Sequence, residues 1–351
     1  MTAFEPDQLT GELRPWDDVK GMKDWSGLLL GNGASVAIWR KFDYRSLFEV
    51  SLGLGDGHAL TEADQNLFSV LEANNNFEQV LHDLSVTESV LQALGEVIDS
   101  RTGEIEERYE HIRDALIGAV HEVHIDFSDL PESTLDRVMG YVSDFRQVFT
   151  LNYDLMLYWS MMRDKNRSSD FFNHGEFEPR FERGLDWTER CHVYFVHGGL
   201  HLYATLHGET RKNQRDEGAS LLEKFGLPIN DERVFPVFVS EGSAQRKRAA
   251  IAESPYLTFA YERLQSLSGP LLMFGISLTD MDRHISDAIN RNPYRTVAVG
   301  IYPKKGEDYA KTMKARYFAF LGQQKLLFFD STTHPLGASE ISVGVQFRAG
   351  R

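Results

Sequence analysis

Cysteine is almost absent from this chain. Cys191 is the single cysteine among 351 residues, which excludes an internal disulfide and any zinc site that is built from paired cysteines. We therefore expect a protein without a bound metal ion, suited to a reducing cytoplasm.

Positive charge and long apolar segments are also scarce. Lys and Arg number 37 against 52 Asp and Glu, for a formal net charge of −15. This argues against general nucleic-acid binding, because that affinity depends on lysines and arginines that neutralise phosphates. No apolar run reaches the roughly 20 residues that cross a bilayer, and no charged-then-apolar leader opens the chain. We expect neither export nor membrane insertion.

The composition still permits a sizeable core. Apolar residues make up 42% of the chain and charged residues 25%, which is typical of a globular protein. The length exceeds one usual domain, and a single sheet domain that carries a large insertion would account for it.

Short apolar segments alternate with helical patterns along much of the chain. Helices are expected at 155–163, 281–290 and 306–321. This alternation predicts an α/β fold with a doubly wound, mainly parallel Rossmann-like sheet. The predicted strands are 27–31, 148–152, 193–196, 271–275, 296–301 and 326–329.

The interval from 61 to 145 shows helical spacing of apolar residues, with a break at Asn74 to Asn76 and a last helix that opens at Pro131. This predicts a helical lobe inserted into a sheet domain formed by 1–60 and 146–351. Because its helical faces are too apolar to stand alone in water, we expect the lobe to pack beside the sheet. There it would cover the crevice or form a subunit contact.

Three other segments are interpreted as peripheral. The segment 208–218 is interpreted as a solvated surface connection, with a mobile loop near the site as the alternative. The basic run from Gln245 to Arg248 is interpreted as a solvated helix face. The tail from Ile341 to Phe347 alternates apolar with small or polar residues, which predicts an edge strand.

Four short motifs follow four of the predicted strands. They are GNGAS at 31–35, TLNYD at 150–154, HGGLH at 197–201 and FGISLTDMD at 274–282. The carboxyl ends of parallel strands lie at one edge of a sheet, where open α/β folds bind nucleotides. We therefore expect the four motifs to meet at that edge.

The first and last motifs are candidates for binding phosphate or ribose. Gly31 and Gly33 would let backbone amides approach a pyrophosphate at the start of a helix. For this motif alone, a structural turn is an equally good interpretation. In the last motif Gly275 and Ser277 end the strand, and the Ser277 hydroxyl can bond phosphate or ribose oxygens.

The two middle motifs place polar groups at strand ends. Asn152 can bond a ribose hydroxyl and hold a water, whereas Asp154 can simply cap the following helix. His197 is a candidate base, with a structural histidine as the alternative. A metal pair with His201 is discounted, because two glycines make a helix there unlikely and no acidic third ligand is near. His201 is expected to face a second strand or solvent.

In this order the motifs resemble those of the sirtuin-like NAD-binding domain, which has a GAG turn with a following serine, T-Q-N-I-D, His-Gly and G-[ST]-S. Here Asn32 replaces the central alanine and Tyr153 the isoleucine. The resemblance covers the sheet region and not the helical insertion. It implies that Asn152 orients the nicotinamide ribose or a water and that His197 acts as base. The residues that it assigns to the dinucleotide are Gly31, Asn32, Gly33, Ser35, Asp154, Gly275 and Ser277.

Two departures from the family pattern bear on the activity. The four-cysteine zinc module of sirtuin deacetylases has no counterpart here, and the arginine-bearing cofactor loop has only a loose one at Phe42, Tyr44 and Arg45. Protein deacetylation is therefore disfavoured, whereas hydrolysis of NAD by water requires neither of these features.

The resemblance implies an NAD glycohydrolase that releases nicotinamide and ADP-ribose. It points to the bacterial zinc-free sirtuin-like proteins that destroy NAD during phage infection. NAD would be the substrate, a protein or phage-derived activator would trigger the enzyme, and a homo-oligomer is expected. Two alternatives stay open. One is a non-catalytic sensor of NAD or ADP-ribose that regulates a partner, and the other is an NAD-dependent deacylase or ADP-ribosyltransferase.

Overall fold

A central sheet of seven parallel strands organises the protein. The computed structural model describes residues 9–55, 57–73, 75–94, 101–179, 190–205, 208–213, 235–239 and 243–344. The strands are β1 (Gly27–Leu30), β2 (Gln147–Thr150), β3 (Ser168–Ser169), β4 (Phe172–Asn173), β5 (Glu176–Phe177), β6 (Cys191–Phe195), β7 (Gly198–Ala204), β8 (Thr210–Lys212), β9 (Phe235–Phe238), β10 (Leu271–Phe274), β11 (Thr296–Ile301) and β12 (Lys325–Asp330). The order in the central sheet is β12-β11-β10-β1-β2-β6-β3.

Both faces of the central sheet are covered. Successive side chains of a strand point to opposite faces, and in β1 Leu28 and Leu30 belong to one buried cluster while Leu29 belongs to another. Val148 and Phe149 of β2 divide in the same way. Strands that are buried on both sides explain why the predicted segments are continuously apolar. The predicted α/β, doubly wound fold is confirmed.

Helices form the layers on these two faces and the inserted lobe. Those on one face include α2, α7 and α8, whereas α11 and α12 pack on the other. The helices are α1 (Trp16–Lys20), α2 (Asn32–Ile38), α3 (Tyr44–Ser51), α4 (Glu62–Val70), α5 (Phe77–Leu94), α6 (Arg101–Val123), α7 (Glu132–Val142), α8 (Met156–Arg163), α9 (Ala244–Glu253), α10 (Pro255–Ser266), α11 (Arg283–Asn290) and α12 (Glu307–Leu321).

The helical insertion packs against the sheet body. Its buried residues, including Phe77 and Ile112, belong to the same apolar cluster as Leu28 of β1. A capping box at Thr61 starts α4, and the break at the asparagines separates α4 from α5. Further along, α7 packs on α8 beside the sheet. The end of α6 is held by Trp39, whose indole N–H donates to the Val123 carbonyl at 2.7 Å.

A second sheet was not expected from the sequence. It has five antiparallel strands in the order β4-β5-β8-β7-β9, and β7 follows β6 of the central sheet directly along the chain. Two of these strands are only two residues long, which is too short for a hydrophobic period to show. The predicted loop 208–218 is wrong in its described part, because β8 lies there; residues 214–218 lie outside the described residues.

The predicted strand at 341–347 is also wrong in its described part. Ser339–Ile341 is a 3-10 helix, and 342–344 belong to no strand. The amide of Val343 does donate to the Ile38 carbonyl at 2.8 Å, and Val343 is buried. The alternation therefore reflects an irregular segment that packs on α2. Residues 345–347 lie outside the described residues.

Within the described ranges, no helix has the length and apolar character that a bilayer crossing requires.

Candidate functional site

The four motifs meet in one cleft at the carboxyl edge of the central sheet. The last residues of the strands lie level, since Leu30 pairs with both Thr150 and Phe274, and Thr150 pairs with Phe195. The segments that leave these strands enclose a cleft with about 820 Å³ of empty volume, including its open mouth. Its position at the carboxyl ends of the strands is where open α/β folds bind ligands.

Most of the residues singled out in the sequence line this cleft. Gly33 and Ser35 are not among the residues that line it. The predicted helical insertion contributes Val120 to the lining, and Val239, which follows the unexpected second sheet, also lines the cleft. The lining residues that the sequence identified are Gly31, Asn32, Asn152, Asp154, His197, Gly275 and Ser277.

The glycines of the first and last motifs pack against each other. The Gly33 N–H donates to the Gly275 carbonyl at 2.8 Å, and the Gly31 N–H donates to the Phe274 carbonyl at 3.0 Å. Gly275 has a φ of +72°, and a Cβ on it would lie 2.3 Å from the Ala34 nitrogen. These positions therefore require glycine so that two backbones can approach. The amides of Gly31 and Gly33 are engaged within the protein, which favours the structural interpretation of these two N–H groups.

A chain of hydrogen bonds holds Asn152 in place. Its Nδ2 donates to the Gly31 carbonyl at 3.0 Å and to the Ser35 Oγ at 2.8 Å. Ser35 in turn donates to the Asp154 Oδ2 at 2.5 Å. Because the amide nitrogen is engaged on both sides, the side-chain oxygen of Asn152 is the group that can accept a hydrogen bond from a ligand.

Asp154 combines both roles considered for it. Its Oδ1 accepts from the Met156 N–H at 2.8 Å at the start of α8, so it does cap that helix. Burial raises the pKa of the Asp154 carboxyl, and hydrogen bonds from Ser35 and the Met156 backbone lower it in part. The carboxyl thus anchors the Ser35 and Asn152 pair instead of facing solvent.

Asn32 shapes the wall of the cleft. Its Nδ2 donates to the Phe42 carbonyl at 3.1 Å, which ties the turn after β1 to the segment that carries Phe42 and Tyr44. Both aromatic residues line the cleft. Arg45 does not point there, because its guanidinium pairs with Glu49 on the surface of α3 at 2.9 Å.

His197 lies at the end of β6 against a second histidine that the sequence did not identify. His197 Nε2 and His284 Nε2 are 2.8 Å apart, and the rings are nearly parallel. Burial lowers the pKa of His197 well below its usual value, and the neighbouring His284 and Lys247 lower it further. The lowered pKa favours the neutral form of His197, which is the form that can accept a proton, and also makes it a weaker base.

Lys247 corrects the interpretation of the basic run on α9. Its side chain is only 2% exposed and pairs with Asp282 at 3.3 Å, and both residues line the cleft. Ile251, one turn further along α9, is buried on the same face. Helical spacing back from Ile251 is the signal that could have placed Lys247 inside.

His201 and Cys191 lie apart from the chemistry of the cleft. His201 is fully buried in β7, stacked on Tyr158 and edge-on to Phe195 of β6. Of the two expectations, a ring that faces a second strand fits the structure, and a solvent-facing ring is wrong. Burial raises the pKa of the Cys191 thiol to about 12, which makes it unreactive. Within the described part of the chain, no three His, Cys, Asp or Glu side chains are grouped as metal ligands.

The chain matches a family of proteins over residues 28–336, described as a domain of unknown function (DUF4917). The match spans most of the chain, so the protein belongs to this family. No curated protein matches it.

Solved structures with distant likeness are sirtuins. One is Sir2Tm bound to a propionylated peptide, at 11% identity and a TM-score of 0.31, covering 92% of this chain and 94% of that one. Another comes from work on sirtuin substrate affinity, at 12% identity and a TM-score of 0.32, covering 92% and 95%. A third is Sir2 bound to an acetylated peptide, at 12% identity and a TM-score of 0.30, covering 88% and 97%. Likenesses this distant do not say what the chain binds.

Proposed function

We propose that the protein binds NAD in this cleft and hydrolyses it to nicotinamide and ADP-ribose. The observation that supports this most is the hydrogen-bonded chain from Asp154 through Ser35 to Asn152, which fixes an uncharged amide at the cleft. An enzyme that separates a cationic nicotinamide from a ribose needs such fixed, uncharged groups, because additional positive charge would oppose the positive charge that develops on the ribose.

The surroundings fit a dinucleotide. The Asn152 side-chain oxygen can accept from a ribose hydroxyl or a water, and the Ser277 hydroxyl, at the mouth of the cleft, can bond a phosphate or ribose oxygen. Phe42 and Tyr44 supply aromatic surface for a base or a nicotinamide ring.

The reaction balances without a redox partner or a metal. The bond between the ribose carbon and the nicotinamide nitrogen breaks, and its electron pair neutralises the pyridinium. A water oxygen bonds to the same ribose carbon and loses one proton. Asn152 orients the ribose or the water, and His197 is the group proposed to take the proton.

The specific geometry of His197 favours one alternative function. Its Nε2 is held by His284 at 2.8 Å, so proton transfer requires this pair to rearrange. A protein in which the pair stays closed would bind NAD or ADP-ribose without turnover. A sensor that regulates a partner is therefore the second candidate.

The biological setting is part of the same proposal. NAD destruction harms the cell that carries it out, so we propose an anti-phage effector that stays inactive until a protein or phage-derived activator acts on it. A homo-oligomer is the proposed assembly. Deacylase or ADP-ribosyltransferase activity would need an acceptor to reach the ribose carbon, and is a further outcome for the test.

The test is NAD consumption by the purified full-length protein, alone and with lysate of phage-infected cells. Chromatography should find nicotinamide and ADP-ribose in equal amounts, and Asn152→Ala should reduce both about 10²- to 10⁴-fold. Tight ADP-ribose binding with no turnover under any condition would favour the sensor. Nicotinamide released only with an acylated or nucleophilic acceptor would favour the transferase or deacylase.

A further inference from the structure

Lys247 is a buried cation inside the proposed nucleotide cleft. Its ammonium lies 3.3 Å from the Asp282 Oδ1, and the lysine side chain is 2% exposed. Asp282 also accepts from the Thr279 hydroxyl at 3.2 Å. Burial of a lysine is unfavourable unless its charge is compensated. Asp282 supplies that compensation here, and both residues line the cleft where a ligand would bind.

The charge of the cleft makes this lysine distinctive. Among the described residues that line it, Lys247 is the one lysine or arginine, whereas Asp154 and Asp282 contribute carboxyl groups. Arg45, on the helix that follows Phe42, pairs with Glu49 on the surface instead of reaching the cleft. In a chain with a net charge of −15, an anionic ligand would be repelled unless a local cation met it.

The backbone N–H groups of the glycine turn cannot by themselves offset the negative charge of a phosphate ligand. The amides of Gly31, Gly33 and Ala34 donate to carbonyls of the protein itself. These N–H groups are therefore engaged where the usual phosphate-binding turn would present them to a ligand.

From these observations we infer that Lys247 binds the pyrophosphate of the dinucleotide, sharing its charge between a phosphate oxygen and Asp282. The inference rests on the proposed NAD site but not on hydrolysis. At 3.3 Å the contact with Asp282 is at the long end for a charged hydrogen bond, and Thr279 continues to hold the carboxylate when the ammonium moves. The lysine stem is flexible enough for this shift.

The experiment measures binding instead of turnover. Calorimetry would compare ADP-ribose, which carries the pyrophosphate, with adenosine, which lacks phosphate, on the full chain and on Lys247→Met. A charged hydrogen bond contributes about 1.5–3 kcal/mol, so ADP-ribose should bind roughly 10- to 100-fold more weakly to the variant. Adenosine should bind equally to both proteins, and Lys247→Arg should recover part of the loss.

Two further variants separate charge from folding. Arg248→Met removes the neighbouring cation, which pairs with Asp287 on the surface, and should leave the affinity for ADP-ribose unchanged. Lys247→Met combined with Asp282→Asn avoids a buried unpaired carboxylate, and this folded double variant should still bind ADP-ribose weakly.

Each outcome decides the inference. Unchanged ADP-ribose affinity in Lys247→Met would overturn it while leaving the proposed function standing. An equal loss for adenosine and ADP-ribose would show a structural role and also overturn it. If ADP-ribose binding depends on Lys247 but no NAD turnover is found, the role of Lys247 is supported and the proposed hydrolase activity is rejected. No nucleotide binding to the wild-type chain would reject both.

Discussion

His197 and His284 share one short contact, with 2.8 Å between their Nε2 atoms and rings tilted by only 18°. One of these nitrogens must donate a hydrogen and the other accept it, because two lone pairs would repel and two N–H groups would clash. The pair therefore holds a single proton between the rings. Any base role for His197 depends on how this proton is placed.

The first prediction concerns Asn152 and His197. Alanine at either position should reduce NAD cleavage about 10²- to 10⁴-fold, which is the usual contribution of a positioned acid, base or orienting group. Chromatography of nicotinamide measures the loss. The exposed Asn166, in the turn after α8, is the matched control, and Asn166→Ala should retain full activity.

The stability of the His197 variant must be measured in parallel. The sequence predicts His197 at a strand end, and the structure leaves the residue only 6% exposed. Loss of turnover therefore counts for catalysis only if urea unfolding shows a folded protein. Normal turnover in both folded variants would reject the assigned roles.

A second prediction concerns His284. Burial is the main cause of the lowered pKa of His197, and the electrostatic effect of His284 lowers it further, so His284→Leu should raise that pKa. A base acts when deprotonated, so the acid limb of the kcat/KM profile should move to higher pH. His284→Gln, which keeps a hydrogen-bonding group, should shift it less. An acid limb at the same pH in all three proteins would show that the pair does not tune catalysis.

A third prediction concerns stability at acid pH. Burial lowers the pKa of His124 to about 4 and that of His334 to about 3, and lowers those of His197 and His201 as well. As the pH falls, these histidines become protonated in the unfolded chain before they do in the folded protein. The free energy of unfolding is therefore at its full value above about pH 6.5 and decreases as the pH drops toward 4. Each of these histidines lowers the free energy of unfolding by up to about 1.4 kcal/mol per pH unit over this range.

His124 offers a specific test of this pH dependence. Its Nδ1 donates to the Ile125 carbonyl, and its Nε2 accepts from the Leu155 N–H at 3.0 Å. Protonation would remove that acceptor, which links the end of α6 to the loop after β2. When the free energy of unfolding is measured with urea between pH 4 and 7, it should depend less steeply on pH in His124→Gln than in the wild type. Equal slopes would contradict this assignment.

A fourth prediction concerns the junction of the two glycine motifs. Gly275→Ala would force a Cβ against the Ala34 nitrogen at a positive φ, and we expect a loss of about 2–5 kcal/mol in the free energy of unfolding. Gly55 is the control, since a Cβ there meets no atom within 4 Å. Urea denaturation should separate the two variants, and a Gly275→Ala protein as stable as Gly55→Ala would show that the backbones can part.

A fifth prediction concerns zinc. With Cys191 as the single cysteine, we expect elemental analysis to find no stoichiometric zinc in the purified protein. A chelator should change neither unfolding nor NAD consumption. Zinc at one ion per chain, lost together with activity, would require a site that we have not identified.

Much of the site could be predicted from the sequence because its information is local. Continuous apolar segments predict strands that are buried on both faces, and parallel strands place their carboxyl ends at one edge. Asn152, His197 and Gly275 each follow such a segment directly, so their meeting at the cleft required no knowledge of side-chain packing. The helices between β1 and β2 could likewise be predicted from the helical spacing of their apolar residues.

Only the tertiary structure decided which groups touch. His197 and His284 are 87 residues apart in sequence, and Lys247 and Asp282 are 35 apart. Helical spacing from Ile251 could place Lys247 on the inner face of α9, but it does not identify Asp282 as the partner of that lysine. Short antiparallel strands leave no period either, so the second sheet could not be predicted. The sequence thus determined where the motifs gather, whereas long-range packing determined their partners, because burial of a polar group is stable only where the fold brings it a partner.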